Sequence, residues 1–132
     1  MASELRVNTL KDASGNNSIG MSYVAEGTAK AWINFTSVSS TSARDSFNHA
    51  SLTDNGTGDT TLNFTNSLSN NDYCFSGNAQ RNDATEDAEM TLYQDQDSSL
   101  ATNSMRVITK KSSVTDQIDV LGGFASATGD LA

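Results

Sequence analysis

Apolar and polar residues alternate along this chain over short stretches, and clusters of Gly, Asn, Asp and Ser separate the stretches. A period of 2 sends successive side chains to opposite faces of a strand. Residues 28–35 show it best: Ala29, Ala31, Ile33 and Phe35 share one face, and Lys30, Trp32 and Asn34 share the other. Weaker alternation marks 4–10, and 19–25 reads as a second short extended segment. Residues 47–53 and 60–65 flank Asp54-Asn55-Gly56-Thr57-Gly58-Asp59, where two glycines supply positive φ without strain, so this region predicts a hairpin. Further strands are expected over 73–77, 89–93, 105–109 and 117–124. The final residues, 125–132, read as a weak tail, exposed or packed on a neighbour. No stretch sustains a period of 3.6 with caps; residues 79–90 come nearest but hold too few apolar residues.

These elements predict an all-β chain, an antiparallel β-sandwich or jelly-roll-like domain over 26–132 preceded by an extended N-terminal arm over 1–25. The length of 132 residues fits one domain. Proline is absent, so the turns rest on Gly, Asn, Asp and Ser. Ile33-Asn34-Phe35-Thr36 and Leu62-Asn63-Phe64-Thr65 repeat one pattern and read as similar strand endings.

Charge narrows the function classes. The net charge is −8 and the basic residues form no footprint beyond Lys110-Lys111, which argues against duplex DNA and against an anionic membrane surface. One cysteine rules out an internal disulfide and a Cys-rich zinc site, and one histidine rules out a multi-histidine metal site. No apolar run approaches a membrane span, and the first residues lack the apolar core of a signal peptide, so synthesis in a cytoplasm is expected.

Candidate chemistry is sparse. His49 has Asp45 and Asp54 near it in sequence but no recognisable catalytic frame. Cys74, between Tyr73 and Phe75, reads as a small core residue. Asp83, Glu86, Asp87 and Glu89, or Asp95 and Asp97, are candidate calcium ligands, although none follows the EF-hand loop pattern. Gly122-Gly123 reads as a bulge in the last strand. No catalytic, cofactor-binding or metal-ligating residue is assigned. Trp32 stands opposite the Ala-Ile-Phe stripe of its strand, which makes it the candidate for a subunit interface or a ligand platform.

Three blocks carry a resemblance: Ser3-Glu4-Leu5-Arg6-Val7-Asn8-Thr9-Leu10 with the turn at Gly15-Asn16; Gly27-Thr28-Ala29-Lys30-Ala31-Trp32-Ile33-Asn34-Phe35; and Arg44-Asp45-Ser46-Phe47-Asn48 with the 52–65 hairpin. Over residues 1–75 the chain resembles phage tail fibre-type virion proteins of marine and cyanobacterial viruses. The resemblance implies a structural virion protein, located on the particle, that forms a homotrimer, joins other virion proteins through its N-terminal arm and contacts a host surface glycan or protein. A capsid decoration protein or capsid fibre is the alternative. A glycan depolymerase is a third reading; it needs paired carboxylates across a groove, and no such pair stands out. An enzyme is not expected, nor a nucleic-acid partner.

Overall fold

The computed structural model describes residues 3–80, 90–94, 100–111 and 116–132, with 90–94 as backbone. Its strands form a short hairpin and two four-stranded antiparallel sheets. The all-β reading holds, with one short helix.

The hairpin pairs β1 (Thr9–Lys11) with β2 (Ser18–Gly20). Its turn is organised by Asp12, whose carboxylate accepts from Asn17 Nδ2 at 2.7 Å, Asn16 N–H at 3.0 Å and the Ser14 hydroxyl at 3.1 Å. The Asn17 amide, with these other donors, holds the Asp12 carboxyl below its usual range. Residues 3–19 are exposed throughout. Next comes α1 (Met21–Gly27), where an extended segment is expected from sequence. Met21, Val24 and Ala25 stand at i, i+3 and i+4 and so share one face of the helix. The helix is too short for that period to show in a sequence window. Its end is fixed by the Thr28 hydroxyl donating to the Val24 carbonyl at 2.8 Å.

One sheet has the order β4 (Ser42–Phe47), β3 (Ala29–Thr36), β10 (Gly122–Thr128), β7 (Cys74–Gln80). The other has the order β5 (His49–Gly56), β6 (Asp59–Phe64), β9 (Ser104–Lys111), β8 (Met90–Gln94). The core lies between them. Ala31, Ile33 and Phe35 from β3 meet Leu62 and Phe64 from β6, and Met105, Val107, Ala125 and Ala127 complete the layer. The two repeated motifs therefore supply matching apolar pairs from the inner strands of opposite sheets. Phe64 and Tyr73 meet edge to face, with ring centroids 6.3 Å apart.

The hairpin predicted around residues 54–59 is present, and Gly56 (φ +131°) and Gly58 (φ +67°) carry its turn. The expected strand over 47–53 is not continuous. Asn48 takes φ +53° between β4 and β5, and there the chain passes from one sheet to the other. The Asn48 side chain locks this corner: its Nδ2 donates to the Asn66 carbonyl at 3.0 Å and its Oδ1 accepts the Asn66 N–H at 2.7 Å.

The C-terminal reading needs the largest correction. Residues 125–132 are not a weak tail. Ala125 and Ala127 are buried on β10, an inner strand paired with both β3 and β7. Small side chains give this strand little apolar weight, yet it pairs Gly123 with Phe35 and Ala125 with Ile33, where the large partner takes up the space. Nor is Gly122-Gly123 a bulge: the register runs unbroken there, and the irregularity lies between Ala127 and Thr128. Residues 117–121 precede β10 rather than belonging to it.

Candidate functional site

The two outer faces of the sandwich differ in chemistry. On the β5-β6-β9-β8 sheet Asn63, Asn55 and Arg106 hydrogen-bond to neighbouring side chains. Asn63 Nδ2 donates to the Ser51 hydroxyl at 3.1 Å and the Thr53 hydroxyl at 3.0 Å. Asn55 Nδ2 donates to the Thr61 hydroxyl at 2.8 Å and Asp59 Oδ1 at 3.2 Å. Arg106 Nε donates to Asp59 Oδ1 at 2.8 Å, and this guanidinium holds the Asp59 carboxyl below the usual carboxylate range.

The outer face of the β4-β3-β10-β7 sheet is aromatic. Pairing across the sheet aligns Phe47, Trp32, Ser126 and Ser76 in one row, and Asp45, Asn34, Phe124 and Asn78 in the next. Trp32 is 38% exposed, Phe47 51% and Phe124 41%. Trp32 and Phe124 lie diagonally on neighbouring strands, within reach of a common ligand. Between them and β7 runs an open groove of about 500 Å³, whose polar lining among the described residues is Asn34, Ser76, Asn78 and Ser126, none of them charged. Ser76 and Ser126 share a hydrogen bond at 2.8 Å, and Asn78 Oδ1 accepts the Ala79 N–H at 2.7 Å. Among the described residues the Asn34 Oδ1 is covered and has no partner.

Trp32 thus faces outward, as the alternation of its strand requires. Phe124 also faces outward, and the sequence reading ends its strand at this residue, before the alternation that shows its facing. The alternation of Phe124 and Ser126 with Ala125 and Ala127 is the signal that places it.

A second apolar surface lies beside α1. A groove of about 680 Å³ is lined by Met21, Val24 and Ala25 of the helix, Phe47 and Leu131, with Lys30 and Asp130 among its polar members. The Lys30 ammonium is held by the Thr28 hydroxyl at 2.7 Å and the Thr28 carbonyl at 2.9 Å.

The remaining candidates stand apart. His49 borders an apolar crevice of about 10 Å³ between the sheets, room for about one water molecule. Its Nε2 is buried without a partner, and burial pushes its pKa down. Cys74 is not a core residue: it begins β7 with its side chain exposed, while Tyr73 and Phe75 turn toward the core. Neither residue has the other among its hydrogen-bond partners. The acidic candidates Asp83, Glu86, Asp87, Glu89, Asp95 and Asp97 lie outside the described residues. Among the described residues no three His, Cys, Asp or Glu side chains gather as a metal site, and no helix is long and apolar enough to cross a membrane. The chain matches no family model, no curated protein and no solved structure.

Proposed function

We propose that this chain is a structural virion protein, a phage tail fibre or short tail component whose arm joins the particle and whose sandwich faces the host. The observation that carries the reading is the arm. Residues 3–19 are exposed and expose apolar side chains, among them Leu5 at 78%, Leu10 and Ile19. A segment that leaves its apolar residues uncovered gains stability only when another molecule covers them. The resemblance over residues 1–75 supplies the class of that molecule, a neighbouring virion protein.

In this reading the working unit is a homotrimer. The groove beside α1 is its contact, because Met21, Val24, Phe47 and Leu131 offer apolar area there, with Thr28, Lys30, Ser69 and Asp130 as its polar members. Closed symmetry buries such a patch once per subunit. At a net charge of −8 per chain, like charges repel, so the contact is apolar or polar-neutral rather than charge-driven. Removing residues 1–20 tests the arm: the truncated chain folds and is missing from assembled particles. Truncated chains that assemble normally refute the role of the arm.

A further inference from the structure

We infer that Asn55-Gly56, in the hairpin joining β5 to β6, is a self-modification site: the Gly56 backbone nitrogen closes on the Asn55 side chain, and the Asp54 carboxylate takes the proton. The pair is the sole Asn-Gly of the chain, and Asn55 is exposed. Three observations carry the reaction. The first is the register. Asp54 pairs with Thr60 and Gly56 with Asp59, so the ladder skips Asn55. A regular strand holds each side chain perpendicular to the sheet and away from the next backbone nitrogen, and a bulged residue escapes that constraint. The second is the nucleophile. Gly56 has no side chain to crowd its nitrogen, and even a Cβ built there would meet nothing within 4 Å. The third is the base. Asp54 Oδ1 accepts the Gly56 N–H at 2.9 Å, within the reach that a general base needs. Asp54 Oδ2 accepts the Thr41 hydroxyl at 2.9 Å, so a residue between β3 and β4 orients the carboxylate.

The Gly56 nitrogen forms a bond to the Asn55 side-chain carbonyl carbon, and its proton passes to Asp54. The bond from that carbon to Nδ2 breaks, and Nδ2 leaves as ammonia, carrying the proton that Asp54 returns. Water then opens the cyclic imide at either carbonyl and leaves aspartate or isoaspartate at position 55. No oxidant or reductant is needed. The product alters the hairpin. Asn55 Nδ2 donates to the Thr61 hydroxyl at 2.8 Å and to Asp59 Oδ1 at 3.2 Å, and a carboxylate in its place cannot donate. It also adds a negative charge beside Asp54 and Asp59, where like charges are unfavourable. Isoaspartate lengthens the main chain ahead of the turn as well. The hairpin therefore loosens as the protein ages, and this chemistry does not depend on where the protein resides.

The test holds the full-length protein at neutral pH and physiological temperature, and follows position 55 by peptide mapping with tandem mass spectrometry. The same chain kept in denaturant is the reference. Asp54→Asn keeps an acceptor for the Gly56 N–H but removes the base, and Thr41→Val removes only the group that orients it; both are checked for a parent-like circular dichroism spectrum. The expected result is conversion of Asn55 ahead of every other asparagine, with isoaspartate among the products. In the folded protein Asp54→Asn should slow it about tenfold or more, and Thr41→Val should slow it less. In denaturant Thr41→Val should have no effect, because the contact between positions 41 and 54 is gone. An intact Asn55 where other asparagines convert overturns the inference, as does conversion to aspartate alone, which is direct hydrolysis. A folded Asp54→Asn protein that reacts at the parent rate overturns the assigned base. Should Asp54→Asn fail to fold, the folded-against-denatured comparison of Thr41→Val decides: equal effects in both states overturn the inference.

Discussion

Phe35 lies across Gly123 on the neighbouring strand: the two residues are directly paired between β3 and β10, and a Cβ at position 123 would overlap the Phe35 ring. Phe35 is fully buried at the centre of the sandwich, so the ring has no free space to retreat into. The glycine is what lets the largest core side chain of β3 cross its partner strand. Gly123→Ala should therefore destabilise the fold by ~1–3 kcal/mol, the usual cost of overpacking a filled core. Denaturant unfolding monitored by circular dichroism checks this. Stability within about 0.5 kcal/mol of the parent would show that Phe35 can shift.

His49 makes stability depend on pH. Burial of its ring beside the inter-sheet crevice lowers its pKa from the ordinary 6.5, so the folded state favours the neutral imidazole. The unfolded chain then binds more protons than the folded one below pH 6.5, and stability falls as pH drops through that value. Above it the full stability remains. The depressed carboxylates Asp12 and Asp59 act in a separate window, below their ordinary value of 3.8. Unfolding free energies measured just above and just below the histidine range should differ for the parent and differ less for His49→Gln. Equal pH dependence in the two proteins would contradict the assignment.

The two apolar surfaces should separate by mutation. Val24→Asp and Leu131→Asp place charge in the groove beside α1 and should reduce the proposed trimer to monomers, since losing a central interface side chain costs ~2 kcal/mol or more. Trp32→Ala should leave the mass unchanged. Light scattering on the purified proteins reads both. A parent that is monomeric at high concentration removes the trimer, and a Trp32→Ala monomer moves the contact to the aromatic face.

Strand periodicity carried much of this fold in the sequence. Residues 28–35 alternate strongly enough to place Ala31, Ile33 and Phe35 in the core and Trp32 outside, and the turn glycines Gly56 and Gly58 mark the hairpin. The corner at Asn48 was hidden, because apolar residues continue on both sides of it and the positive φ falls on an asparagine rather than a glycine. The inner strand β10 was hidden for the opposite reason: its core residues are Gly and Ala, which hydropathy barely registers. The exposure of Cys74 follows from the alternation of Tyr73 and Phe75, but the general preference of cysteine for the interior points the other way. The aromatic groove became legible only when pairing brought Phe124 of β10 beside Trp32 of β3, a contact between residues far apart in the chain.

The central claim is that the protein is part of a virus particle, at its tail. The most direct measurement is electron microscopy of intact particles labelled with antibody raised against the purified chain. The account predicts label at the tail, lost from particles assembled with the arm-truncated chain. Label on the capsid would contradict the tail assignment and favour a decoration protein. Particles without any label would contradict the virion role itself.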